Sequence, residues 1–256
     1  MAPRFICVDH GARVNIKRLL LRGVSTAFLV GAGLTVFGDG ASASSPGSGP
    51  SALLARSLAD AESAGWVHEE INASAEGHTF SMNNEIGSVD GQQIIRTDGA
   101  RAEVILVNGI AYIEANAKGV ANYFELSTTD PQQFAGRWFS VTSNDAGYSS
   151  YVEAVTLDSD FSQVQLSEPL TSGGQTTIDG HRVIPVYGYV AGASKGSKVR
   201  ATLYVTATGK TVPIEFAVSS KGVHETITWS DWNHPVYLTV PGGSVPLPNQ
   251  GSGTTS

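Results

Sequence analysis

Three groups of residues in this sequence have types that could do chemistry. His68-Glu69-Glu70-Ile71-Asn72 opens like a zinc-protease helix, where two histidines four residues apart hold the metal and the glutamate between them is the base. The second ligand position is Asn72, so no metal is expected. His68, Glu70 and Asn72 recur at every second position instead, which puts them on one strand face and suits a solvated edge. Ser230-Asp231-Trp232-Asn233-His234 gathers a hydroxyl, a carboxylate and an imidazole. A hydrolase triad is recognised by spatial roles, with its nucleophile on a strained turn, whereas Asp and Asn at this density suit a turn that satisfies its own backbone, with Trp232 packed beneath the sheet. Glu69 with Glu103 or Glu225 would form a glycosidase-like pair only if the fold brought the carboxyls together. The expectation is therefore a protein with no catalytic residues and no cofactor.

The elements that carry these residues follow from hydrophobic period. Residues 52–64 place Leu54, Leu58 and Ala61 on one helical face, with Ser51 as cap and Gly65 as stop. From Trp66 the period becomes two. Strands are expected at 66–75, 78–86, 92–97, 101–107 and 110–117, separated by Gly77, Asp90-Gly91, Asp98-Gly99 and Asn108-Gly109. Asx-Gly pairs supply the positive φ angles of two-residue hairpins, so an antiparallel meander is expected. The stretch 118–170 breaks this pattern with short helical candidates at 131–134, 148–155 and 160–166 and a brief strand at 138–141. Strands return at 175–178, 182–190, 199–207, 212–218, 223–229 and 236–240. Val199, Ala201, Leu203 and Val205 alternate with Arg200, Thr202, Tyr204 and Thr206, and residues 101–107 are read the same way, with one wet face.

One-sided strands exclude a doubly covered parallel sheet, whose strands read as continuous apolar runs. The fold class is α+β: a single curved antiparallel sheet, a half-barrel, wrapped over a few short helices on its concave face. Those helices are too few to fill so large a concavity, so an apolar cavity between sheet and helices is expected. Val104, Leu106, Ile113, Leu203, Val205, Ile214 and Phe216 are the inward residues chosen as its lining, ordinary core packing being the other account of each.

Charge and composition narrow the partners. The chain of 256 residues carries a formal charge of minus 7. Arg13, Lys17, Arg18 and Arg22 precede an apolar run at 24–37, and Ala41-Ser42-Ala43 follows, the order of a cleavable secretory signal. The run falls short of the roughly 20 residues that span a bilayer. Removal of residues 1–43 leaves 11 basic against 21 acidic residues, a net of minus 10. A domain that acidic has no footprint for nucleic acid. Cys7, the single cysteine, lies before the signal core, so no disulfide and no lipid anchor are expected, and release into the medium or the envelope space is favoured. The organisation expected is a signal at 1–43, a flexible linker at 44–51, one domain at 52–241 and a flexible tail at 242–256. A monomer is expected.

The order of several motifs carries a resemblance. Arg96-Thr97-Asp98-Gly99 and Val107-Asn108-Gly109-Ile110-Ala111-Tyr112 are followed by Ala135-Gly136-Arg137-Trp138. Ala201-Thr202-Leu203-Tyr204-Val205, Pro213-Ile214-Glu215-Phe216 and Ser230-Asp231-Trp232-Asn233-His234-Pro235-Val236, leading to Pro241, complete the series. Together they resemble the actinobacterial LppX/LprG-like lipoproteins, which share the half-barrel of the LolA/LolB carriers. The resemblance implies extracytoplasmic binding or transfer of a lipid or other hydrophobic ligand, with transient membrane or envelope contact. The rival expectation is a secreted envelope-associated interaction or chaperone module with a solid core, filled by Phe124, Phe134, Trp138 and Phe161, and no ligand.

Overall fold

Three hairpins form where Asx-Gly pairs stand. Asp98-Gly99, Asn108-Gly109 and Asp179-Gly180 all adopt positive φ at both positions (47° and 81°, 53° and 72°, 46° and 82°) in the computed structural model of the chain, the geometry whose twist matches the flanking strands. Asp90-Gly91 does not. Gly91 lies inside a strand, and a Cβ there would stand 2.1 Å from the Val155 carbonyl oxygen, so its glycine allows close backbone approach. The structure describes residues 49–75, 77–124, 130–145, 147–157, 161, 164–191, 197–220 and 222–248. The expected export segment, most of the linker, the end of the tail and residues 160, 162 and 163 of the helical stretch expected at 160–166 lie outside the described residues, and residues 164–166 of that stretch are not helical.

Helix α1 (Pro50–Glu62) is followed by β1 (Trp66–Ala75), β2 (His78–Gly87), β3 (Gly91–Thr97), β4 (Ala100–Val107) and β5 (Ile110–Ala115). Helix α2 (Ala117–Tyr123), a 3-10 turn (Pro131–Gln133), β6 (Phe139–Val141), helix α3 (Tyr148–Val152) and a second 3-10 turn (Glu153–Val155) form the middle of the chain. Strands β7 (Ser167–Ser172), β8 (Thr176–Ile178), β9 (His181–Ala191), β10 (Lys198–Thr206), β11 (Pro213–Ser220), β12 (Val223–Ser230) and β13 (Val245–Pro246) complete it.

All the strands join one unclosed sheet of 13, in the order β13-β6-β5-β4-β3-β2-β1-β12-β11-β10-β9-β7, with β8 paired to β9. Named pairs are antiparallel except β13 with β6. The chain runs outward from β1 to β6, then returns from the far edge until β12 closes on β1 at the centre. Helix α1 packs against β7, β9 and β11, and α2 and α3 pack against β4 and β5. The result is a curved α+β half-barrel with short helices on its concave side.

Several local expectations give way. Pro50 starts α1 one residue before Ser51, and Gly49 is the N-cap. Pro is favoured there because its missing N–H needs no helical partner, so Ser51 is left to donate to Glu168 Oε1 at 3.3 Å. Gly65 does not close the helix; its N–H donates to Asn233 Oδ1. Strand β5 stops at Ala115 because Asn116 caps α2, accepting from Gly119 N at 2.8 Å and Arg101 N at 3.1 Å. The strand expected at 236–240 does not form, β7 was not anticipated, and Val245–Pro246 in the expected flexible tail instead pairs with Phe139 and Ser140.

The expectation of a wet face on β4 also fails. Glu103, Ile105 and Val107 are all buried, because the segment after β12 crosses the outer surface and packs Leu238, with Trp138, over Ile105, Val107 and Tyr112. The continuous run Val104-Ile105-Leu106-Val107 is the sequence of a strand covered on both sides.

Candidate functional site

Register sorts the inner face into rows that cross the strands, because alternate residues share a face and paired residues stand side by side. The first row, Val67, Ile86, Gly91, Leu106, Ala111 and Val141, is fully buried. The second runs Trp229, Glu69, Asn84, Gln93 and Val104. Here Glu69 is 1% exposed and accepts hydrogen bonds from Asn84 Nδ2 at 2.6 Å and Trp229 Nε1 at 3.0 Å. A buried carboxylate met by such donors is locked in place.

The third row is different. Leu203 and Phe216 belong to one buried core cluster and Ala102 and Ala115 to another. Between them Ile227, Ile71, Met82 and Ile95 stand side by side and are only half-buried. At about 4.8 Å per strand this apolar strip is about 14 Å long. In the fourth row Glu225 lies between Val218 and Ala73, and burial alone holds its carboxyl above the ordinary value.

Six of the seven residues expected to line a cavity are split between the two clusters. Val104, Leu106 and Ile113 pack with Phe124 and Phe139. Leu203, Val205 and Phe216 pack with Leu54, Phe161 and Trp229. Ile214 is buried beside the β10–β11 irregularity, where Val205 pairs with Pro213. Ile113, Leu203 and Val205 are 0% exposed, so their side chains meet only protein. Sequence reasoning missed Ile71, Met82, Ile95 and Ile227, and also the Glu69 belt. The available signal was an acid or amide at the inward parity: Glu69 between Val67 and Ile71, and Glu225 between Val223 and Ile227.

A cleft of about 660 Å³ opens on the opposite face, over Asn72, Ser81, Arg96, Arg101, His224 and Thr226 among others. None of the seven expected lining residues borders it. Arg101 in this cleft is engaged by Glu103 and Glu114.

The chemical candidates do not assemble. His68 Nδ1 meets Glu85 at 2.8 Å and Asn72 donates to Glu70; their strand is central, so the face is solvated but it is not an edge. Asp231 and Asn233 adopt positive φ in a turn, Trp232 stacks on Phe161, and His234 stands 3.8 Å from Asp231 in the open. Glu103 faces outward to Arg101, whereas Glu69 and Glu225 share the inner face four register steps apart, about 13 Å along the strands, beyond glycosidase spacing. Gly192-Ala193-Ser194-Lys195-Gly196, a hydrolase-like motif that the sequence reasoning overlooked, lies outside the described residues. It links antiparallel neighbours β9 and β10, unlike the strand-to-helix elbow such motifs require. Among the described residues no group of three His, Cys, Asp or Glu is placed to hold a metal, and no helix is long and apolar enough to cross a membrane.

No protein-family model and no curated protein matches the chain. Solved structures do. LprF from Mycobacterium bovis superposes with a TM-score of 0.50 at 16% identity, over 75% of this chain and 96% of that one. The chain has the fold of LprF. Mycobacterium tuberculosis lipoprotein LppX follows at a TM-score of 0.46 and 17% identity, over 74% and 99% of the two chains. The LolA superfamily protein NE2245 from Nitrosomonas europaea reaches 0.27 at 8%, over 74% and 95%. The LprF likeness concerns fold, and it agrees with the group that the ordered motifs of the sequence resemble.

Proposed function

We propose that the protein binds, and ferries outside the cytoplasm, a ligand with an acyl or similarly apolar body, which lies along the inner strip of Ile71, Met82, Ile95 and Ile227. The observation that carries this reading is a row of half-buried apolar side chains on the concave side, between two packed clusters. Binding would draw on apolar transfer at ~0.8 kcal/mol per methylene, about 10 kcal/mol for a dozen methylenes before entropy costs. No catalytic group is needed. The outer cleft is a poor place for such a ligand, since Asn72, Ser81, Arg96 and Thr226 offer donors and charge.

Val104 and Phe216, each 6% exposed, would be met first beyond the strip, and Leu106, Ile113, Leu203, Val205 and Ile214 would form the deeper lining if the clusters part. Secretion by the basic and apolar N-terminal segment supplies the compartment in this reading. Native mass spectrometry of protein purified from its host, followed by organic extraction, tests it: a co-purifying apolar ligand and uptake of fluorescent acyl probes are expected, and an empty protein that also refuses the probes would refute it.

One observation favours the interaction module instead. Ile113, Leu203 and Val205 have no accessible surface, and Phe124 and Phe161 are buried within the two clusters, as a solid core requires. Probe uptake separates the two.

A further inference from the structure

The inner face carries two carboxylates in contrasting settings. Glu69 is held by Asn84 and Trp229. Glu225, on the neighbouring strand, has Ala73 and Val218 beside it across the ladder and Val223 and Ile227 on the same face of its own strand. No hydrogen bond or ion pair engages the Glu225 side chain among the described residues. Half-burial among apolar neighbours without a partner costs free energy and contributes nothing to packing that a leucine would not improve. A polar group kept in that condition is explained by a partner that arrives later.

Its position says which partner. Glu225 sits one row from Ile227, about 7 Å along β12 from one end of the apolar strip, within reach of a head group that turns off that end along the strand. An ionised carboxylate accepts hydrogen bonds and attracts cations, and it repels another carboxylate, most strongly where water is partly excluded. On the reading that the strip holds an apolar chain, we propose that Glu225 is a specificity-determining residue that selects ligands with a hydrogen-bond-donating or cationic head and rejects those ending in a carboxylate. A neutral hydroxyl head can donate to the same carboxylate oxygens.

Displacement of a neutral fluorescent acyl probe by hexadecylamine, hexadecanol and hexadecanoate at neutral pH, with the whole mature chain, tests this. The parent should take the amine at least about tenfold more tightly than the carboxylate, with the alcohol between. Glu225→Gln should bring amine and carboxylate within about threefold of each other while leaving the alcohol within about threefold of its parental affinity. Glu62→Gln, at the exposed end of α1, removes the same unit of net charge and should leave the ratio unchanged. A thermal melt confirms that each variant is folded. Equal affinity of the parent for amine and carboxylate, or a ratio that survives in Glu225→Gln, would overturn the assignment of Glu225 while leaving acyl binding intact. Failure of the parent to bind the probe or any of the three competitors would overturn both.

Discussion

The two arms of the sheet obey the same alternation and end up buried to different depths. In the arm β9 to β12 the outward positions Arg200, Thr202, Tyr204 and Glu215 keep contact with solvent, with Val183 and Pro185 of β9 the buried exceptions, and the inner face packs against α1 and Phe161. In the arm β3 to β6 the inner face packs against α2, α3 and Phe124, and the outer face of β4 is covered as well, by Trp138 and the segment around Leu238. A strand therefore takes its burial from whatever the rest of the chain lays over it. The alternation determines only which residues share a face. Between the arms lies the seam where β1 pairs with β12, and both the locked Glu69 and the open strip occur there.

The largest effect is expected at the seam. Glu69→Ala leaves the Asn84 amide and the Trp229 indole N–H buried without their acceptor and should cost about 3–5 kcal/mol in urea unfolding. A loss below about 1 kcal/mol would show that the belt does not hold the arms together. Next comes a direct test of the contrast between outer faces. Ile105→Ala on β4 should cost about 2–4 kcal/mol, because the outer segment cannot collapse into the space left, while Tyr204→Ala on β10 should cost about 1 kcal/mol or less. Equal losses would mean that the C-terminal segment adds no burial that matters.

A smaller effect, read in binding, sharpens the account of the strip. Ile227→Asn should weaken acyl-probe binding about tenfold, or ~1.4 kcal/mol, and the probe assay on the folded variant checks it. The smallest concerns pH. Glu225 is held above its ordinary value by burial, so the folded state binds the proton more tightly than the unfolded chain, and the stability it contributes at low pH is lost as pH rises through the folded value. Glu225→Gln should therefore gain on the parent as pH climbs through the carboxylate range and level off above it, as measured by melts from acid to neutral pH.

Much of this fold was legible because its signals are local. Alternating apolar residues and Asx-Gly pairs mark strands such as β10 and hairpins such as Asp98-Gly99, since those φ angles are strained for most other residues. Strand β7, whose residues Ser167 to Ser172 have almost no apolar alternation, was invisible because an exposed edge strand needs none. The run at 104–107 was visible and misjudged: its continuity signals two-sided burial, but the covering residues lie more than 30 positions away in sequence. The candidate site was legible in one respect only, the presence of acids at inward parity in β1 and β12.

The amino-acid order by itself determined most strand positions, their face assignment, the acidic character of the domain and the resemblance to a half-barrel family, because each depends on neighbours within a few residues or on composition. Only the tertiary structure decided that β12 closes on β1, that six of the seven chosen apolar residues divide between two packed clusters while Ile214 is buried outside both, and that Ile71, Met82, Ile95 and Ile227 remain partly open between them. Which inward face is filled depends on the distances among helices and strands far apart in the chain, and no local period encodes those distances.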